Sequence, residues 1–515
     1  MKRADTLFEL IKSLDKQEKR YFILFVSRYT IKKNSDAVRL FNLLCPMKEY
    51  DEKRVREKYA GEGFAKHLPE TKYQLRQLIL KSLNYYHTGD TNDSKIWELL
   101  NCFDVLYSKN LIAQCKKILA KAKQIAEKRE KFPLLIEIFQ REKLFLEREQ
   151  YIGKKEKDID RFFGNFQKVI SQMDNLGRYN YLRARVLLRF HLKYLQKSSE
   201  EWQHLRNTMN DPLLNKEEKC LSKEAQLEFN LINGIFRFHH RDWINAIQYY
   251  RKQVELLEES AEGIKENIHR YIAAYNNFLL ILFNLNLHDD FYYHLQRFRT
   301  IPEKYGAGIS IEMKVFCLSY SLETILYIVT GNFDKAAGLE KKIVAGLEKH
   351  TATMPAPQKF NLYYNLAYAH FGLCQYKNAA YWVNKILQRD ASEEWVNYFG
   401  HAQLLNLIIH YELQSENLFE SFVRSTYGFF YKRKMLFKFE GLVLNFIRKE
   451  MPKIDSQKRL IEAFSMLRKD LLELEKEPIE KESFENFDII SWLDSKIEKR
   501  PFAEIVREKA ERLVG

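Results

Sequence analysis

The chain is predicted to be all α, a stack of antiparallel helix pairs behind a small N-terminal helical module. Three observations carry this. Proline and glycine number only 10 and 18 of 515 residues, and so few breakers leave long helices with few turns. Aromatic residues are plentiful, with 30 Tyr, 36 Phe and 6 Trp, a load that disordered chains lack. The sequence also resembles itself at steps of 42 to 45 residues, as units do when each buries its apolar face only against its neighbours.

The elements follow in order. Residues 1–88 fit no repeat and read as helices near 4–14, 16–30, 36–44, 51–60 and 70–87. Pro69 opens the last of these, where its missing N–H removes no helical bond. Residues 95–224 read as degenerate helical hairpins. Within them Asn110-Leu111-Ile112-Ala113-Gln114-Cys115, with Leu119 and Ala122, has the character of a second helix, whereas 135–205 is helical without a clear register. The array proper spans 225–432, with unit starts at Asn230, Tyr275, Tyr320, Tyr363 and Leu405. Residues 433–515 read as a charged helical cap. Breaks are expected at 61–69, 87–94, 210–218, 300–310, 350–358, 451–456 and 476–483.

The second helices open alike: Arg241-Asp242-Trp243-Ile244-Asn245-Ala246, Gly331-Asn332-Phe333-Asp334-Lys335-Ala336 and Cys374-Gln375-Tyr376-Lys377-Asn378-Ala379. In each, a tight turn precedes an aromatic residue that closes the elbow. Alanine three residues later lets the helices approach to about 8 to 10 Å. First helices carry a small residue, Gly234 or Ala367, and second helices a large one, Tyr250 or Val383. Over 225–432 this pattern resembles the tetratricopeptide repeat. The spacing is longer than that family's ~34 residues, Phe291 and Ser421 stand where alanine is expected, and Pro302, Pro355 and Pro357 fall in loops.

The resemblance implies a right-handed superhelix of stacked helix pairs, a tetratricopeptide-like solenoid. It further implies a concave groove that binds extended peptides through the first helices. Carried over residue by residue, the groove-facing candidates are Asn276, Asn277, Asn284, Asn361, Tyr364, Asn365, Tyr368, Gln403, Asn406 and His410. These are mostly amides and phenols, with no Lys or Arg, which argues against capture of a C-terminal carboxylate. An amide offers both donor and acceptor to a peptide backbone; equally, it can bond to a neighbouring helix.

Charge offers a second reading. The net charge is +15; residues 1–90 carry 19 basic and 12 acidic side chains, and residues 453–515 carry 13 and 15. A basic N-terminal module invites anionic partners. Lys53, Arg54, Arg56, Lys72, Arg76 and Lys81 would be its phosphate contacts if it reads nucleic acid. Otherwise the module caps the first repeat.

Other chemistry finds little support. Cys45, Cys102, Cys115, Cys220, Cys317 and Cys374 are dispersed, so neither a disulfide framework nor a zinc site is expected. No phosphate loop, zincin or nucleophile-elbow motif occurs, so no enzyme activity and no cofactor is expected. His288-Asp289-Asp290 with His294 has ligand-like spacing, but His288 falls at an elbow position and reads as packing. MKRADTLFELIK holds no signal-peptide core, and no apolar run approaches the ~20 residues of a membrane span. The expectation is a cytoplasmic, non-enzymatic scaffold or adaptor that binds a protein or peptide in the groove, with no membrane partner. The alternative is a regulator that contacts nucleic acid through the N-terminal module and uses the repeats as sensor or oligomerisation platform. The oligomeric state is left open.

Overall fold

Scarce breakers should leave little but helix, and among the described residues every regular element is helical, with no strand. The computed structural model describes residues 5–29, 36–47, 49–58, 67–87, 91–193, 203, 207–306, 308–351, 354–388, 395–414, 416–433, 435–451, 454–477, 480, 483–484 and 486–514. Parts of the expected helix ends and breaks, including 59–66, 88–90, 352–353, 452–453, 478–479 and 481–482, lie outside these. Among the described residues no helix is long and apolar enough to cross a membrane. The chain divides into two units, Met1–Asp174 and Asn175–Gly515.

The first unit opens with α1 (Thr6–Ser13), α2 (Lys16–Tyr29), α3 (Asp36–Leu44), α4 (Glu52–Lys58) and α5 (Leu68–Tyr86), each end within two residues of the sequence reading. Asp5 caps α1 by accepting from the N–H groups of Leu7 and Phe8, both at 3.1 Å, and Pro69 lies in the first turn of α5. Ile11, Phe22, Leu40, Phe41, Leu75 and Ile79 form the centre of its core. Next come α6 (Asn92–Ser108), α7 (Ile112–Lys128) and α8 (Phe132–Arg148), each of 17 residues. Their elbows turn on left-handed residues, Asn110 after α6 and Glu130 after α7. α7 is the helix anticipated near 110–122, and Cys115, Leu119 and Ala122 are its buried stripe. α9 (Glu156–Lys193) contributes residues to both units.

The second unit continues with α10 (Lys223–His239), α11 (Trp243–Glu258), α12 (Ala261–Glu266), α13 (Ile268–Asn284), α14 (His288–Arg299) and α15 (Ile301–Lys304). Then follow α16 (Ile309–Val329), α17 (Phe333–Gly338), α18 (Glu340–Lys349), α19 (Ala356–Gly372), α20 (Tyr376–Leu387), α21 (Val396–Glu412) and α22 (Glu416–Lys432). α23 (Lys438–Asn445) runs into a π turn at Phe446–Glu450, and α24 (Gln457–Glu475), α25 (Ile489–Glu498) and α26 (Phe502–Val514) complete the chain. The prolines expected in loops stand at helix starts. Pro302 and Pro357 occupy the first turns of α15 and α19, where no donor is lost.

The elbows set the period. Arg241, Asn286, Gly331, Cys374 and Gln414 all have φ between 52° and 68°, at steps of 45, 45, 43 and 40 residues. After four of them the next N–H reaches back to the helix just ended: Asp242 to the Arg237 carbonyl at 3.0 Å, Leu287 to Leu282 at 3.0 Å, Asn332 to Tyr327 at 2.8 Å and Gln375 to His370 at 2.9 Å. One left-handed residue thus ends the first helix and satisfies its last carbonyls. Five residues beyond the elbow stand Ala246, Phe291, Ala336 and Ala379, all fully buried. The last step is the shortest, so the final unit starts at Gln403 rather than Leu405. Phe419, not Ser421, takes the alanine position, and Ser421 is exposed.

The small-against-large pairing is a direct contact. A Cβ on Gly234 would lie 2.8 Å from the Tyr250 ring, and one on Gly372 would lie 2.2 Å from that of Phe333. The second contact joins successive pairs, since the elbow aromatic of one seats against the first helix of the next. Gly331 is more constrained. Its φ is +68°, and a Cβ there would stand 2.7 Å from the backbone nitrogen of Arg507 in α26. Gly331→Ala is therefore expected to cost about 2 to 4 kcal/mol, combining left-handed strain with overpacking. Gly338→Ala, with nothing within 4 Å of its Cβ, should change stability by less than about 0.5 kcal/mol. Urea unfolding of the two variants checks the contrast.

Candidate functional site

Counting back from each elbow places equivalent residues on the first helices. Ten residues before it stand Leu231, Asn276, Ser321, Tyr364 and Leu404; six before it, one turn along the same face, stand Ile235, Leu280, Ile325, Tyr368 and Ile408. Neighbouring first helices touch along this row. The Ser321 hydroxyl bonds to Asn361, and Asn365 Nδ2 donates to Ser321 Oγ at 3.2 Å, tying α16 to α19. One unit later the Tyr364 ring lies 6.4 Å from that of His401, in the same relation between α19 and α21.

On α19 the row is occupied by the chain itself. Tyr364 Oη donates to the Asn486 carbonyl at 3.0 Å, and Tyr368 Oη accepts from the Asp488 N–H at 2.9 Å. Two tyrosines one turn apart therefore grip the main chain at alternate residues. Between those bonds Phe487 buries its ring 5.1 Å from Tyr368, 5.3 Å from Phe371 and 6.0 Å from Phe502. Burial holds the Tyr368 hydroxyl far above its usual titration range, so it stays protonated. Asp488 then caps α25, accepting from the Ser491 N–H at 3.0 Å. Trp492 Nε1 donates to Glu412 at 2.7 Å and Lys496 pairs with the same carboxylate. Arg507 of α26 donates to the Gly331 carbonyl at 3.3 Å.

This occupation is structural in scale. Phe487, Ile489, Trp492, Leu493, Phe502 and Val506 are all buried, and at about 1.5 to 3 kcal/mol per large side chain they stabilise the docked segment by on the order of 10 kcal/mol. A micromolar partner supplies about 8 kcal/mol and would not displace it. Phe487→Ala should cost about 3 to 5 kcal/mol. Tyr368→Phe should cost about 1 to 3 kcal/mol, by leaving the Asp488 N–H without its acceptor. Urea midpoints of both variants check this order.

Beneath the segment lies a cavity of about 30 Å³ bordered by Tyr364, His401, Leu404, Glu440, Asn486 and Ile489, room for about one water molecule. Burial pushes the His401 imidazole down to about 4. In the unfolded chain it titrates near 6.5, so between these values the unfolded state binds the extra proton. The stability that neutral His401 supports is complete above about pH 6.5 and is lost as pH falls toward 4. His401→Gln is expected to flatten the fall in urea midpoint between those two pH values relative to the parent protein.

The other groove candidates are more dispersed. Asn361 and Asn365 bond between helices, as above, and Asn365 is buried. Asn277 is half-buried, Asn284 Nδ2 donates to the Leu280 carbonyl at 2.7 Å, and Asn276 Oδ1 has no partner among the described residues. Gln403 accepts from Thr426 of α22 at 2.9 Å, Asn406 is 1% exposed, and His410 stacks on Phe422 of α22 at 4.2 Å. Gln403 and His410 thus face the second helix of their own pair, which the two-residue shift of that unit explains. His294, grouped by sequence with His288–Asp290, bonds through Nδ1 to the Tyr275 hydroxyl at 2.8 Å.

In the N-terminal module, Lys72 Nζ pairs with Asp5 at 2.7 Å and lies 3.8 Å from Glu52. Burial alone would lower this amine, but hydrogen bonding to Asp5 overrides it and holds the ammonium above its ordinary value. Arg56 pairs with Glu52 at 2.8 Å. Lys53 and Arg54 border a cleft that also holds Asp5, Glu9, Glu49 and Asp51. Arg76 and Lys81 lie on the exposed face of α5 beside Tyr73 and Leu80. Of the six cations, Lys53 and Arg54 thus border the acid-rich cleft, Arg56 and Lys72 are paired with carboxylates, and Arg76 and Lys81 lie on a separate helix face.

Sequence reasoning missed Asn486, Phe487, Asp488 and Phe502. Their only local signal is a pair of phenylalanines, Phe484 and Phe487, in a stretch otherwise rich in Glu. No family model matches the chain, and no curated protein does.

Proposed function

We propose that the protein is a non-enzymatic, tetratricopeptide-like scaffold whose stacked pairs form a superhelix and bind an extended segment of another protein along the row of first helices. The observation that carries this reading is the grip of Tyr364 and Tyr368 on residues 486–488. It supports the idea that the row can hold main chain, because the bonds go to backbone groups that any sequence offers. That all six cysteines are free suits a reducing, cytoplasmic setting. The nucleic-acid alternative has less to rest on, since Arg56 and Lys72 are already engaged by carboxylates and a phosphate backbone would have to compete for them. Affinity purification from the protein's own cell lysate, split into nuclease-treated and untreated halves, tests the choice. A stoichiometric protein retained in both halves is the expected result. Recovery that collapses with nuclease would overturn the scaffold in favour of the N-terminal reader.

A further inference from the structure

We infer that the outer face of α22, with Arg424, Tyr427, Gly428, Tyr431 and Lys432 beside Arg448 of the π turn, binds single-stranded nucleic acid, stacking a base on Tyr431 and placing phosphates on the surrounding cations. This goes beyond the scaffold reading and does not depend on it, since α22 is the second helix of its pair and the face is separate from the row of first helices.

Charge marks the place. Residues 424–453 carry eight basic and two acidic side chains, so a net +6 of the chain's +15 falls within 30 residues. Of the two acids, Glu440 is buried. Lys432 and Lys449 are exposed and pair with no carboxylate among the described residues. Arg424 meets Glu420 only at 4.0 Å, with both side chains largely exposed, and a pair of that kind holds its cation weakly. Lys438 is engaged elsewhere, by Glu477 at 2.7 Å. A surface so rich in unanswered cations attracts a polyanion.

The aromatic arrangement decides which polyanion. Arg424, Tyr427, Gly428 and Tyr431 recur at spacings of three and four, on one face of α22. The Tyr427 and Tyr431 rings lie nearly parallel there, inclined by 11° with centroids 6.1 Å apart. The Arg448 guanidinium covers the Tyr427 ring at 4.2 Å. Tyr431, by contrast, is 67% exposed, which leaves aromatic surface open to solvent. A Cβ on Gly428 would have nothing within 4 Å, so no neighbour requires glycine at a helix position where alanine is more favourable. Its bare backbone keeps the approach to both rings clear. An unpaired base offers a flat ring to stack on Tyr431, and its backbone offers phosphates to Arg424, Lys432 and Lys449. A duplex keeps its rings within its own stack, and an acidic peptide answers the charge without answering the ring.

The test uses the full chain and a fluorescein-labelled oligothymidylate of about 16 nucleotides. Fluorescence anisotropy should show saturable binding that weakens about tenfold as salt rises from about 50 to about 200 mM, and weaker binding to a duplex of the same length. Tyr431→Ala should weaken binding at least about fivefold. Arg424→Glu combined with Lys432→Glu should weaken it at least about tenfold, while thermal melting shows the fold of both variants retained. Photo-crosslinks from a bromouracil-substituted oligonucleotide, mapped by mass spectrometry on the unmodified protein, should fall within residues 424–449, and they decide the matter if a variant fails to fold. Absence of saturable binding at the lower salt overturns the inference. So do undiminished binding by Tyr431→Ala, displacement by polyglutamate as readily as by unlabelled oligonucleotide, and crosslinks confined to residues 1–88.

Discussion

Everything in the larger unit depends on reversing a helix within three residues. An antiparallel pair with so short a connection needs one residue at positive φ, and the chain supplies Arg241, Asn286, Gly331, Cys374 and Gln414 in turn. Only one is glycine. For the others the left-handed conformation costs roughly 1 to 2 kcal/mol, offset by the carbonyls satisfied at each helix end and by the apolar surface the reversal brings together. The close approach then dictates volume on both sides. Gly234 yields to Tyr250, Gly372 yields to Phe333, and the fully buried alanines let the second helix settle. A pair built this way has apolar surface left on both flanks, which is why the pairs stack rather than stand alone.

Polar contacts then fix the register between pairs. Glu228 is almost completely buried between Arg183 and Arg270, and burial raises its carboxyl even against the pull of both guanidinium groups. Glu340 joins Trp382 at 3.0 Å to His370 at 3.2 Å across two units, and Glu412 gathers Trp492 and Lys496. Buried ionic groups of this kind add little net stability, yet they make misaligned stacking costly.

How far the sequence could be read follows from what each feature writes locally. The five short helices of the first module were legible because polar, Pro and Gly residues bracket apolar stripes. Gly234 and Tyr250 were legible as the small and large positions of the repeat pattern, whereas their mutual contact was written in neither residue. The final unit was misread by two residues because its elbow falls on Gln414, whose side chain gives no hint of a left-handed backbone. Among the groove residues, an asparagine suits a wet surface and a helix interface equally, so Asn365 and Asn406 gave no sign of their burial. Lys72 reads as a free cation until folding brings it to Asp5, 67 residues away. Least legible was the segment around Phe487, since its partners lie about 120 residues earlier and leave no periodic trace.

That last separation bears on the order of assembly. The elbows and pair contacts are local and can form as successive helices leave the ribosome, N-terminus first. The closing contacts cannot, because Arg507 meets a carbonyl 176 residues upstream and Tyr364 meets one 122 residues downstream. Until residues 486–507 are made and fold back, the Tyr364 and Tyr368 face of α19 therefore lacks its cover. Long-range contact is concentrated in this one step, which makes docking of the segment around Phe487 the most non-local part of assembly.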